Sequence, residues 1–356
     1  MTFEDLGYFD ELDNYILENG FDSYQIGRII AEHKERYIVK TPTDEYNAEI
    51  LGSIRYTANS RSDFPAVGDW VAITEFDDNR AIIHNILLRK SIIERQAIGK
   101  KGEKQIIGTN IDFAFIVQAI DRDFSINRIE RYITICTNSN VEPIIILSKI
   151  DLIDKNELEI ISDKIEQRIN NYPIIKLSNE TKQGLEDLKK LIFYGKTYCL
   201  LGSSGVGKSS LLNVLSGQQI MKTDSISSST NRGKHITTHR ELFIIENGGI
   251  IIDNPGMREV GITDSEKGLE TTYEHIYELA KKCKFKDCSH TNESSCAVLN
   301  ALENGELDPA TYENYLKLQR EKEYYESTVI EKRKKDRDFG KMMKNFKKSK
   351  NKNNLY

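Results

Sequence analysis

The sequence predicts an α/β protein in three parts: a small β-barrel, a parallel sheet covered on both faces, and a helical segment bearing a metal-ligand cluster. Three observations predict it. Short β-like runs, broken by Asp, Asn, Gly and Pro, fill the chain from about Ser23 to Gln105. After about Asn110, continuous apolar strands alternate with amphipathic helices. Three cysteines and a histidine then fall within the fourteen residues from Cys283 to Cys296.

Residues 1–24 open with MTFEDLGYFDELDNY, which is acidic and reads as a helix and a turn. It has neither the apolar core of a signal peptide nor the basic character of a transit peptide, and the expected location is the cytoplasm. No apolar run reaches the length of a membrane span, so no membrane partner is expected. Residues 25–105 carry the runs YQIGRIIAEH, RYIVKT, YNAEILGSI, DWVAIT and AIIHNIL. Short strands at this spacing suit an oligonucleotide-binding (OB-type) barrel. Tyr24, Arg28, Arg36, Tyr37, Arg55, Tyr56 and Arg61 supply the rings and cations of an RNA-facing surface. The alternative places part of the tyrosines in the core.

Residues 106–262 form the α/β domain. FAFIVQAI, PIIIL, PIIKL, KTYCLLG, ELFII and GIIIDNPG are buried-strand runs. SINRIERYITICTNS, KNELEIISDKIEQRIN, GLEDLKKLIF and the stretch after Lys208 have helical spacing. This alternation means a parallel sheet with helices on both faces. Residues 263–330 are helical and charged and contain the cysteine cluster. Residues 331–356 hold eleven Lys and Arg against three acids, in a chain whose net charge is −5. Such an arm is expected to be disordered, either attracting RNA phosphates or solubilising the chain. Of the five cysteines, Cys136 and Cys199 sit in apolar patterns and read as buried hydrophobes.

Gly202-Ser203-Ser204-Gly205-Val206-Gly207-Lys208-Ser209 matches the phosphate-loop pattern between a strand and a helix, with Ser210 continuing into the helix. Its backbone N–H groups and the helix N-terminus are expected to face phosphate oxygens. Lys208 would reach the β- and γ-phosphates and the Ser209 hydroxyl would ligate Mg²⁺. Asp253-Asn254-Pro255-Gly256 ends a later strand; Asp253 would hold a magnesium-bound water and the Gly256 N–H would approach the γ-phosphate. The polar stretch between them reads as a nucleotide switch, with Thr237 or Thr238 as a further Mg²⁺ ligand.

LSKID, Leu147 to Asp151, ends an earlier strand. The Asp151 carboxylate can accept guanine's N1–H and N2 amino protons, a pair adenine lacks, and the Lys149 stem would cover the base. Ser148 precedes them. Ser178 and Asn179 follow the next strand, and their backbone N–H groups suit guanine's carbonyl oxygen. An ATP-using enzyme is disfavoured by Asp151. The order of base reader, second base loop, phosphate loop, switch and metal Asp is that of a circularly permuted P-loop GTPase domain. Permutation leaves the pocket intact because the loops need only share one sheet edge.

This arrangement resembles the RsgA (YjeQ) family of circularly permuted GTPases dependent on the small ribosomal subunit. VGDWV (67–71), RGKHITTHREL (232–242) and DNPGMRE (253–259) resemble its signatures, and the likeness covers nearly all of residues 25–300. The resemblance implies an OB-type barrel, the permuted domain and a C-terminal zinc domain. Cys283, Cys288, His290 and Cys296 can close one structural Zn²⁺ site. Two positions depart from the family: Ser148 stands where it has Asn, and Asn179 where it has Ala. Met257 follows the D-x-x-G motif and cannot orient water, so the resemblance points to His235 as the catalytic residue, with His239 as the alternative. Slow intrinsic hydrolysis, accelerated by a partner, is expected.

The implied function is GTP hydrolysis in late maturation of the small (30S) ribosomal subunit. The implied partners are that subunit, its rRNA and GTP/GDP, for a monomeric chain. An RNA-binding protein or chaperone with vestigial GTPase activity is the alternative, separated from it by GTP turnover with and without small subunits.

Overall fold

The computed structural model describes residues 1–33, 36–96, 104–121, 124–169, 171–217, 219, 240–253, 266–325 and 331. His235, Thr237, Thr238, His239, Gly256, Met257 and the arm beyond 331 lie outside them.

The N-terminal segment is a single-turn 3-10 helix at Glu4–Leu6 followed by α1 at Glu11–Glu18. Its acidic residues face outward while Leu6, Leu12 and Ile16 pack against Trp70, Ala72 and Leu87. The segment is therefore docked on the barrel through its apolar stripe.

The five expected barrel strands are present: β1 (Gln25–His33), β2 (Arg36–Lys40), β3 (Glu45–Ile50), β4 (Trp70–Asp77) and β5 (Arg80–Ile86). A short helix, α2 (Gly52–Thr57), lies between β3 and β4. Strands run in the order β1-β2-β3-β5-β4, and β4 pairs back onto β1 to close the barrel. In β3 the alternation is strict, with Tyr46, Ala48 and Ile50 inward and Glu45, Asn47 and Glu49 outward.

Two residues expected on an RNA-facing surface are core residues instead. Tyr37 is buried, and Arg28 is fully buried. Arg28 donates from Nε to the Gly68 carbonyl at 3.1 Å, from Nη1 to Leu6 at 2.5 Å and from Nη2 to Asn110 at 3.3 Å. Burial pulls its guanidinium down to about 10, with Asp112 and Asp69 acting the other way. The cation thus ties the N-terminal segment, the barrel and the start of the next domain together. Tyr24 is partly buried, its ring 4.9 Å from that of His84. Arg36, Arg55, Tyr56 and Arg61 are exposed.

A separate hairpin not expected from the sequence, β6 (Ile92–Gln96) with β7 (Lys104–Thr109), joins the barrel to the α/β domain. Its strands have barrel-like composition, and nothing local tells a hairpin from another barrel strand.

The second domain contains β8 (Phe113–Ala119), α3 (Ile126–Asn138), β9 (Glu142–Ser148), α4 (Lys155–Arg168), β10 (Ile174–Leu177) and α5 (Leu185–Lys190). It continues with β11 (Thr197–Leu201), α6 (Lys208–Ser216), β12 (Arg240–Ile244) and β13 (Ile250–Asp253). Strand order is β10-β9-β8-β11-β13-β12, parallel except for β12. Alternate residues feed two cores: Ile145 and Leu147 of β9 point to one face, Ile144 and Ile146 to the other. Strand β12 also pairs with β1 of the barrel, Ala31 opposite Glu241, so both domains share one continuous sheet.

Beyond it lie α7 (Glu266–Thr272), α8 (Glu274–Ala280), α9 (Ala297–Glu303) and a helical stretch over 309–325. They rest on α3. A Cβ on Gly268 would lie 2.2 Å from the Thr134 carbonyl oxygen, so α7 approaches α3 at backbone distance. Glu130 of α3 is buried; its carboxylate accepts from Arg168 at 2.8 Å, Asn314 at 2.6 Å and Tyr273 at 3.2 Å. Burial raises the Glu130 carboxyl above its ordinary value, offset by Arg168 and these hydrogen bonds. Arg131 makes a two-pronged pair with Glu321 at 2.8 and 2.7 Å. Among the described residues no helix is long and apolar enough to cross a membrane.

Candidate nucleotide site and metal centre

Strands β8, β9, β10, β11 and β13 run parallel, so their carboxyl ends share one edge of the sheet. Every described nucleotide-site residue predicted from sequence lies at this edge. Strand β11 ends at Leu201, and Gly202 through Gly207 turn into α6 at Lys208. Gly202 has φ of 151°, and a Cβ there would meet the Val117 carbonyl oxygen at 2.3 Å. Only glycine lets the loop leave β11 so close to β8. Lys208 is buried, and its Nζ donates to the Gly202 and Ser203 carbonyls at 2.8 and 2.7 Å. The ammonium thus braces the loop from within. Burial lowers Lys208 to about 8, and Asp253, buried at the end of β13, acts against that shift. Ser209 and Ser210 lie in the first turn of α6.

The base side is built from two loops. Lys149 takes a left-handed conformation, φ 60°, which turns the chain sharply out of β9 into the 3-10 turn Ile150–Leu152. Its Nζ pairs with Asp121 at 3.2 Å. Asp151 accepts a hydrogen bond from the Ser178 hydroxyl at 2.6 Å, and that hydroxyl accepts from the Thr181 N–H at 3.1 Å. Asp151 and Ser178, twenty-seven positions apart, are thereby joined. Ser148 is fully buried, and its hydroxyl donates to the Val206 carbonyl at 2.7 Å. Asn179 Nδ2 donates to the Gly207 carbonyl at 3.2 Å. Both base loops are therefore fastened to the phosphate loop.

Sequence reasoning missed Asp121 and Gly184. Asp121 follows an apolar strand, as Asp253 ends one, and that position was its signal. Gly184 has φ of 77°, and a Cβ there would lie 1.9 Å from the Lys176 carbonyl oxygen; the second base loop can close only with glycine.

The C-terminal cluster converges as expected. The ligand atoms of Cys283, Cys288, His290 and Cys296 all lie within 4.8 Å of one another. A tetrahedral zinc ion with bonds of about 2.3 Å to sulfur and about 2.0 Å to nitrogen sets S···S edges of about 3.8 Å and S···N edges of about 3.5 Å. The observed Cys283–Cys296 separation is 3.8 Å, and His290 Nδ1 lies 3.6 and 3.4 Å from these two sulfurs. Cys283, His290 and Cys296 stand at zinc spacing, and Cys288 supplies a fourth donor of the right type within 4.8 Å of them. Burial keeps the His290 imidazole below its ordinary pKa, which favours the neutral, ligating form. Cys296 also caps α9, its sulfur accepting from the Leu299 N–H at 3.4 Å. Cys136 and Cys199 are fully buried, as expected.

The RsgA GTPase family model matches residues 86–263. A second model, for ABC transporters, matches residues 185–355, a stretch that includes the same phosphate loop. A small ribosomal subunit biogenesis GTPase RsgA of Listeria monocytogenes is 42% identical over 320 residues, covering 88% of this chain and 90% of the relative. One of Bacteroides thetaiotaomicron is 37% identical over 346 residues, covering 97% and 96%. The crystal structure of YjeQ from Thermotoga maritima superposes with a TM-score of 0.61 at 27% identity, covering 86% of this chain and 98% of that one. That of YloQ, described as a circularly permuted GTPase, gives 0.59 at 26%, covering 87% and 97%. Permuted strand order, one shared loop edge and likeness over most of the chain agree, and the chain belongs to the RsgA GTPase family.

Proposed function

We propose that this chain hydrolyses GTP in late maturation of the small ribosomal subunit, binds its rRNA and leaves the particle on hydrolysis. The observation that carries the reading is the joining of Asp151, Ser178 and the phosphate loop at one sheet edge, in a family whose relatives are named for small-subunit biogenesis. In this reading Asp151 reads guanine, Lys149 covers the base, and backbone N–H groups of Ser178 and Asn179 meet the carbonyl oxygen of guanine. The loop from Gly202 to Ser210 holds the phosphates, with Lys208 turning from its carbonyls toward them. Ser209 and Asp253 hold Mg²⁺ with Thr237 or Thr238, Gly256 meets the γ-phosphate and His235 orients water.

The proposed domains are an N-terminal segment (1–24), an OB-type RNA-binding barrel (25–105), the permuted GTPase domain (106–262), a zinc domain (263–330) and a basic arm (331–356). Pairing of β12 with β1 supports transmission of nucleotide state to the barrel, because β12 begins where the switch segment ends. The test is GTP turnover with and without purified small subunits, together with cosedimentation in GDP and in a non-hydrolysable GTP analogue. Stimulated turnover and stronger binding in the analogue are expected. Equal binding in both nucleotides and unchanged turnover would refute the reading.

A further inference from the structure

We infer that Glu293 is a positioning residue for the metal: its carboxylate gathers the backbone of the ligand loop, so that His290 presents Nδ1 to the cysteine sulfurs. This rests on the zinc site described above and goes beyond the nucleotide reading. Glu293 lies three residues after His290 and three before Cys296. One of its oxygens accepts from the Ser289 N–H at 2.8 Å and from the Ser289 hydroxyl. The other accepts from the Thr291 N–H at 3.0 Å and the Asn292 N–H at 3.2 Å. One carboxylate therefore satisfies three backbone donors of a stretch that forms neither helix nor strand. Hydrogen bonds to an ionised acceptor are the stronger kind.

Those donors flank the ligand. The N–H groups of Ser289 and Thr291 lie on either side of His290, whose own carbonyl accepts from the Tyr312 hydroxyl at 2.6 Å. His290 takes φ of 58°, a left-handed conformation disfavoured at a residue with a Cβ. With the chain turned this way, Nδ1 stands 3.6 and 3.4 Å from the Cys283 and Cys296 sulfurs. Burial does not enforce the turn, because His290 is the one buried residue between Lys281 and Ser295. The carboxylate enforces it by holding the peptides on both sides, and a loop shaped in advance costs less to order when metal binds. Glu293 is not one of the four residues whose ligand atoms converge, and its oxygens are occupied by loop donors, so it acts through His290.

The experiment reads metal affinity and metal geometry separately on the full chain. Competition of the zinc-loaded protein against a chromophoric chelator gives the affinity. Visible absorption of the cobalt(II)-substituted protein reports the ligand set. Glu293→Ala is expected to weaken zinc by about 10–100-fold, with the cobalt spectrum at saturation unchanged. Glu293→Gln keeps one acceptor oxygen for Ser289 but turns a donor toward Thr291 and Asn292, and should lose less than Glu293→Ala. Equal losses in the two variants would make the effect one of charge alone and overturn the inference, as would unchanged zinc affinity in both. A shifted cobalt spectrum in Glu293→Ala would make Glu293 a ligand and overturn it too. Should Glu293→Ala fail to fold, Glu293→Asp, which keeps the charge and shortens the reach, carries the test: weakened zinc supports positioning, and unchanged zinc overturns it. An unaltered chain that took up neither zinc nor cobalt would remove the metal site itself, and this inference with it.

Discussion

Removing the metal from the C-terminal cluster should unfold the ligand loop, residues 281–296. The perturbation is Cys296→Ser, or a strong chelator on the unaltered chain. Cys296 is 2% exposed, caps α9, and shares its site with Cys283 and His290 at 3.8 and 3.4 Å. A structural zinc contributes about 10–16 kcal/mol of apparent binding free energy. That is as large as the whole stability of a typical domain, about 5–15 kcal/mol. The ligand loop has no apolar core of its own: between Lys281 and Ser295 only His290 is buried. The metal term should therefore decide whether it folds. Zinc content by atomic absorption should be one ion per chain in the unaltered protein, and about zero in the variant. Differential scanning calorimetry should show an early transition in the stripped protein, while GDP binding at the carboxyl edge of the sheet persists. A metal-free protein with an unchanged melting profile would refute the reasoning.

Asp151→Asn replaces an acceptor of two guanine protons and should lower GDP affinity by about a hundredfold while raising affinity for xanthosine diphosphate; unchanged guanine preference in competition binding would remove Asp151 as base reader. Gly202→Ala forces a Cβ within 2.3 Å of the Val117 carbonyl oxygen and should abolish nucleotide binding, with circular dichroism reporting whether the sheet survives. Arg28→Met leaves the Leu6, Gly68 and Asn110 carbonyls without their buried donor and should cost about 1–3 kcal/mol for each carbonyl left unsatisfied. A lowered chemical-denaturation midpoint checks it, and an unchanged midpoint would mean that the cation is not the tie between segment and barrel.

The five barrel strands and the βα alternation were legible because each depends on local periodicity. Tyr46, Ala48 and Ile50 alternate as a half-buried strand must, and the Ile-rich β9 and β13 are continuous as buried strands must be. The burial of Arg28 was not legible. Its neighbours in sequence are ordinary strand residues, and its acceptors come from positions up to eighty-two residues away. The β6–β7 hairpin was hidden for a similar reason, since strand composition does not name a strand's partner. Ser148 was legible only as the residue before the base-reading pair, standing where the family has Asn. The acceptor of its hydroxyl, the Val206 carbonyl, lies fifty-eight residues away.

The sequence by itself supplied the motifs on which the proposed chemistry rests: a phosphate-loop pattern, the carboxylate proposed to read guanine, a four-residue metal-ligand cluster, and an order that a permuted sheet reconciles. Those features are short, and their spacing is set by covalent geometry. Only the tertiary structure decided how the parts are joined. It fastened the base loops to the phosphate loop through Ser148 and Asn179, rested the metal-bearing helices on Glu130 and Arg131 of α3, and ran one sheet from the barrel through β12 into the nucleotide domain. Those contacts link residues far apart in the chain, and their partners are fixed by packing and by the pairing of buried polar groups, which no local pattern encodes.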